Sequence, residues 1–196
     1  MVKHISEVSS RPRARITGVI YLLYFLLAIF ASLLDSPKLV AYSYVVNALA
    51  TGCYVTVTLL FYYLFKPVNR TLSLIAAIFS ILGCVVTVLA ILNVAPAHLN
   101  ALAFFGPYCL LLGYLVLIST FLPRILGALL VLAGIGWLAY LTPLEQYLSL
   151  YIKILGILGE AALMLWLIIM GVNIQRWKEM AGQKRSLYRP GKEPGK

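Results

Sequence analysis

The chain has 196 residues, 62% of them apolar and only 11% charged, with a mean hydropathy of +0.95. A soluble domain of this size is about half apolar and about a quarter charged, so an ordinary globular protein is excluded. Three cysteines exclude a disulfide scaffold and the dominance of apolar runs excludes disorder; the net charge of +10 comes from residues gathered at the ends of those runs, which points to membrane topology before nucleic acid.

In chain order, a basic head (residues 1–15) precedes six apolar stretches at 16–34, 39–65, 71–95, 101–122, 125–141 and roughly 150–174. A bilayer core of about 30 Å needs about 20 helical residues, and each stretch meets or approaches that length. The fifth, ILGALLVLAGIGWLAYL, is short but uncharged and can extend to Thr142 before Pro143 stops it. The runs are continuous rather than alternating, which excludes a closed barrel. The connections DSPK (35–38), KPVNR (66–70), PAH (96–98), PR (123–124) and TP (142–143) each place a proline at a helix boundary. The piece TPLEQYLS links the fifth and sixth spans, and residues 175–196 form a basic tail whose end is expected to be disordered. The fold class is therefore all-α: a polytopic membrane bundle of six transmembrane helices filling residues 16–174.

Orientation follows from the cations. With the N-terminus inside, fourteen of the 16 Lys and Arg fall on the cytoplasmic side, leaving Lys38 and Lys153 outside. That asymmetry places both termini in the cytoplasm. A cleavable signal peptide over residues 1–34 is disfavoured, because the apolar part is too long and no A-x-A site follows it. RITG (15–18), RTLS (70–73) and RILG (124–127) open the outward-going helices, and snorkelling arginines at the interface explain them without an internal repeat.

Glu160, in KILGILGEAALMLW, is the carboxylate placed deep in a span. A carboxylate there costs several kcal/mol unless it is neutral, paired or wet. Two readings stay open: a functional proton carrier or hydrogen-bond donor, and a neutral acid that glues helices together, an interaction of roughly 0.6–2 kcal/mol. Lys153 lies two turns earlier, about 10 Å along the axis, too far for a direct pair, so it is expected to snorkel outward. Helix two carries a polar stripe of Asn47, Thr51, Tyr54 and Thr58, and helix three carries Ser73, Ser80 and Thr87 with Ala77 and Cys84 on the same face. Gly127 and Gly134 are in line on helix five, and Gly156 and Gly159 adjoin Glu160 on helix six. Such rows favour close helix packing; the sharper alternative has the helix-two stripe facing a cavity shared with Glu160. Asn47, Asn93, Tyr108, Lys153 and Glu160 all fall from the midplane outward, with His98 capping that side, which defines a candidate polar pocket open to the exterior.

Other chemistry is poorly represented. His4 and His98 sit in the head and in a loop, so no histidine pair can ligate haem within the spans. The clusters an intramembrane zinc enzyme needs, a Ser–His pair and a phosphate-binding glycine loop are all missing. Cys53, Cys84 and Cys109 lie singly and read as small apolar packers. No catalytic residue, metal or cofactor is expected. The tail, with Trp177 at headgroup level, is expected to lie on anionic lipid headgroups, each cation contributing about 1 kcal/mol; a topological retention signal explains the same residues. No nucleic-acid partner is expected.

The segments RITGVIYLLYFLL, LFKPVNRTLSLIAAIF, FFGPYCLLLGYLVLISTFLPRILGALLVLAGIGWLAYL and GILGEAALMLWLIIMGV together resemble the domain of unknown function 4386 family over about residues 16–174. The resemblance implies a small multi-span protein of the prokaryotic cytoplasmic (inner) membrane, with no established activity. The family pattern has an Arg in helix three and a His in the FFG segment of helix four; Ser80 and Tyr108 stand at those positions here. Its Glu in the last helix corresponds to Glu160. The leading functional reading is a non-catalytic membrane module, an accessory or self-associating subunit. The alternative is a small-solute or proton carrier or sensor centred on Glu160, Asn47 and Tyr108; a lipid-modifying enzyme ranks last.

Overall fold

The computed structural model describes residues 10–34, 39–96 and 99–187, without the side chains of 10–13 and 183–187. Lys3, His4, Lys38, His98 and the last nine residues of the tail lie outside the described residues, as do the side chains of Arg11, Arg13, Lys184 and Arg185. The described residues are all-α: α1 (Ser10–Leu33), α2 (Val40–Phe65), α3 (Arg70–Ile91), α4 (Leu102–Ile118), α5 (Arg124–Ala139), α6 (Glu145–Ile169) and α7 (Ile174–Leu187). Four of them, α1, α2, α3 and α6, are long and apolar enough to cross a bilayer, and α4 and α5 are shorter apolar helices.

Helix α1 shows what holds such a sequence in place. Ile16, Val19, Leu23, Leu26, Phe30 and Leu33 recur every three or four residues and are exposed, while Ala14, Thr17, Tyr21 and Ala31 face inward. The outer stripe is more apolar than the inner one, the reverse of a helix that floats on a soluble core. A surface of that kind is stable against lipid tails and not against water. The protein is accordingly an integral membrane protein of several spans.

Each apolar helix packs on its successor, and α6 returns to α1, so the six form a closed ring in chain order. The α4–α5 seam is the tightest. Gly106 and Gly113 of α4 lie opposite Gly134 and Gly127 of α5; the numbers rise along one helix as they fall along the other, so the pair is antiparallel. A Cβ on Gly127 would lie 2.7 Å from the carbonyl oxygen of Gly113. Glycine at all four positions lets the two backbones touch, which is how helices associate where there is no water to drive them together. The in-line Gly127 and Gly134 thus pack, and Gly159 does the same against the Leu129 carbonyl. The ring is filled by side chains of every helix, including Tyr21, Tyr54, Phe61, Phe65, Tyr108, Leu115, Leu130 and Leu163.

Several boundaries differ from the sequence reading. Helix α6 begins at Glu145, because nothing after Pro143 breaks it, so most of TPLEQYLS is helical. It ends at Ile169, where Gly171 adopts φ +69° and turns the chain. Helix α3 stops at Ile91 with Asn93 in the left-handed region at φ 57°, a conformation asparagine tolerates better than most residues. Ser119 is extended, and α4 does not reach residue 122, the residue before Pro123 that proline biases away from helix. Part of the tail is helical as well. Asn173 Oδ1 accepts from the Arg176 amide at 3.2 Å to start α7, and Trp177 Nε1 donates to the Leu64 carbonyl at the end of α2 at 2.9 Å. Arg176 Nη1 reaches the Thr120 carbonyl at 3.1 Å, and Arg15 Nη2 the Ile169 carbonyl at 3.3 Å. The start of α1 therefore lies beside the end of α6, and α7 crosses that same end of the bundle.

Candidate functional site

Glu160 is buried on the ring-facing side of α6, about 14 Å from that helix's C-terminal end. Three helices send donors to it. The Tyr21 hydroxyl of α1 donates to Oε2 at 2.5 Å, the Trp137 indole Nε1–H of α5 donates to Oε1 at 3.3 Å, and the Cys109 thiol of α4 donates to Oε1 at 3.8 Å. The thiol is the weakest of the three. One carboxyl thus ties four helices, and it does so at the α1–α6 seam that closes the ring. Gly156 makes room for this arrangement, since a side chain there would collide with the Trp137 ring.

An aromatic cluster surrounds the node. The Tyr21 ring meets Tyr54 edge-on at 6.0 Å and Phe61 at 5.9 Å, and Tyr54 in turn meets Phe105 at 5.3 Å and Tyr108 at 6.2 Å. Edge-to-face rings at such spacings are a favourable packing. Tyr108 is fully enclosed, yet its hydroxyl has no partner among the described residues. It lines a void of about 10 Å³ with Thr58 and Ser73, close to the space one water needs.

The five residues of the candidate polar pocket do not converge. Glu160 and Tyr108 are in the core, linked through Tyr21 and Tyr54. Asn47 is half-buried and bonds back to Ser43 of its own helix, at 2.9 Å to the carbonyl and 3.2 Å to the hydroxyl. Lys153 is exposed and stands over the Tyr140 ring at 5.3 Å. Asn93 is exposed and serves the end of α3. The polar stripes of α2 and α3 meet at one point, Thr58 and Ser80, whose hydroxyl oxygens are 2.6 Å apart. Thr58 spends its proton on the Tyr54 carbonyl, so Ser80 is the donor. Thr51, Ser73 and Thr87 bond to carbonyls one turn back.

What the sequence reading missed is the set of donors, Tyr21, Trp137 and Cys109. Tyr21 carried the available signal: tyrosines favour the membrane interfaces, so one well inside a span implies a partner for its hydroxyl.

The α1–α6 seam is uneven. Near the chain ends a Cβ on Gly18 would lie 2.9 Å from the Ile168 backbone nitrogen, so the helices touch. Past Glu160 they part, leaving a groove of about 280 Å³ lined by Tyr24, Phe25, Ala28, Ile29 and Ser32 of α1, Trp137 of α5, and Ile157 and Glu160 of α6. Ile29 and Ile157 are 57% and 51% exposed, so the mouth faces sideways between the helices. A second cleft, about 540 Å³, lies where the α4–α5 connection meets the α6–α7 elbow, with Trp166, Asn173 and Arg176 in its wall. Among the described residues no group of three His, Cys, Asp or Glu side chains is placed to hold a metal ion.

Residues 96–171, which hold α4, α5 and α6 with Cys109, Trp137 and Glu160, match the family described as Domain of unknown function (DUF4386). An uncharacterized protein of Archaeoglobus fulgidus is 30% identical over 125 residues, covering 60% of this chain and 76% of that protein. No solved structure matches. On this similarity, in agreement with the expectation from the quoted segments, the chain belongs to the DUF4386 family.

Proposed function

We propose that the chain is a non-catalytic module of the cytoplasmic membrane, a six-span subunit that associates with its own kind or with another membrane protein. In this reading α4 and α5, of 17 and 16 residues, cross together with the four longer helices, because they stand in the ring between full-length spans. Their helical parts rise about 24–26 Å, and the extended residues beyond them complete the crossing. Arg15, Lys66, Arg70, Arg124, Arg176 and Lys178 all belong to the end where α1 starts and α6 finishes, so that end is cytoplasmic by the positive-inside bias. Helix α7 lies there against anionic headgroups, with Arg176 at the larger cleft.

The observation that carries the module reading is on the outside of α2. Ala48, Gly52 and Thr56 are four residues apart, all exposed, and a Cβ on Gly52 would meet nothing within 4 Å. Small residues in that spacing make a shallow track for a second helix. Cross-linking of the full chain in lipid nanodiscs and in mild detergent should give a discrete assembly, which Gly52→Ile should dissolve without changing helicity or thermal stability. A monomer in both media and with native membrane extract would rule the reading out.

A second reading, a carrier or sensor of a small ligand, is favoured by one specific observation: Glu160 forms part of the wall of the groove between α1 and α6. Saturable binding of any small molecule, blocked by bulk introduced at Ala28, tests it.

A further inference from the structure

We propose that the α1–α6 groove is a binding site for a lipophilic organic cation, drawn sideways from the membrane; this rests on the second reading above and names its ligand. Three observations converge. Among the described residues Glu160 receives only neutral donors, from Tyr21, Trp137 and Cys109, and no basic side chain is among its hydrogen-bond partners. Its complement is therefore a group that brings positive charge. The remaining walls are mainly aromatic and apolar, from Tyr24, Phe25, Trp137, Ala28, Ile29 and Ile157; the one hydroxyl outside the rings, of Ser32, spends its proton on the Ile29 carbonyl. Aromatic faces attract cations, and most strongly where water is excluded.

The same composition discriminates between ligands. A small hard cation such as Mg²⁺ or Ca²⁺ needs several oxygen ligands to replace its water, and a single carboxyl among rings does not supply them. An anion would face Glu160 with no compensating cation. A neutral alcohol could donate to the carboxyl but would leave the aromatic walls without the charge they favour. A bulky cation with its charge spread beneath apolar groups sheds little hydration and fits all three features. The geometry of entry agrees: the mouth is bounded by lipid-facing Ile29 and Ile157, so the ligand reaches Glu160 without crossing the polar ends of the bundle.

The test is equilibrium dialysis of the full chain in phosphatidylcholine nanodiscs, with empty nanodiscs subtracted. The probes are three near-isosteric molecules: tetraphenylphosphonium, tetraphenylborate and neutral triphenylmethanol. The expected result is saturable phosphonium binding, one per chain, with the other two weaker by at least about tenfold. Glu160→Gln should weaken phosphonium binding by at least about tenfold, and Glu160→Asp, which keeps the charge, should recover part of it. Ala28→Trp fills the groove while leaving every donor to Glu160 in place, so it should abolish binding with the fold intact, and it decides the matter if Glu160→Gln fails to fold. Saturable binding of triphenylmethanol or tetraphenylborate as tight as phosphonium, and blocked by Ala28→Trp, overturns the cation assignment and leaves the groove a ligand site. Phosphonium binding that survives both Glu160→Gln and Ala28→Trp overturns it too. No saturable binding of any probe overturns both the assignment and the ligand-site reading.

Discussion

Gly127→Ala is the sharpest test of the packing described for the α4–α5 seam. The added methyl would sit 2.7 Å from the Gly113 carbonyl oxygen and 2.8 Å from the Leu117 backbone nitrogen, where ordinary contact begins at 3.4 Å. Both obstructing atoms are backbone, so no rotamer change relieves them and the helices must part by about 0.7 Å, enough to forfeit much of the dispersion contact along the seam. Overpacking of this kind costs about 1–3 kcal/mol, and the seam's rigidity places Gly127 at the upper end. Replacing a helical glycine by alanine returns up to about 1 kcal/mol, leaving a net loss of about 1–2 kcal/mol. Gly136 in the same helix is the internal control. Its Cβ would lie 3.6 Å from the Ile152 carbonyl oxygen, so Gly136→Ala should be neutral or stabilising by up to about 1 kcal/mol. Equilibrium unfolding in mixed micelles, followed by tryptophan fluorescence, gives both values. If Gly127→Ala proves as stable as Gly136→Ala, the helices are not in backbone contact and the account of the seam is wrong.

One further pair of substitutions and one single substitution test the remaining contacts. Tyr21→Phe removes a donor to Glu160 and should destabilise by about 0.6–2 kcal/mol, whereas Tyr108→Phe removes a hydroxyl with no partner among the described residues and should be neutral or stabilising; the same unfolding assay compares them, and equal losses would contradict the assigned hydrogen bonding. Trp177→Phe keeps an aromatic ring but loses the bond to the Leu64 carbonyl, so α7 should become more accessible to limited proteolysis while the six-helix ring keeps its unfolding midpoint. Unchanged cleavage would show that the Trp177 hydrogen bond does not hold α7 in place.

The helices were legible in the sequence because lipid imposes a one-dimensional rule. A stretch such as 71–95 must satisfy its backbone within itself, so length and hydropathy alone locate a helix there, and only the last turn, cut short by Asn93, needed three-dimensional information. Glu160 was legible for the same reason: a carboxyl in the middle of a span stands out in composition. Its partners were not. Which face of α1 turns inward depends on α2 and α6, so the depth of Tyr21 within its span implies a partner for its hydroxyl without saying which. The pocket of five residues failed on a related point. Depth along a span says nothing of which partner a side chain finds: Asn47 turns back to Ser43 of its own helix, and Lys153, about 10 Å from Glu160 along α6, stands over Tyr140 instead of joining the core. Gly106 and Gly113 likewise show their role only when set against Gly134 and Gly127.

Because neighbours around the bundle are also neighbours along the chain, synthesis from the N-terminus lays down the circle in sequence. In the six-span reading, Glu160, the costliest residue to place in oil, arrives on the ring's last helix, after Tyr21, Cys109 and Trp137 have preceded it along the chain. In that reading the helix that carries the acid completes the enclosure, and the donors that solvate it are made before it.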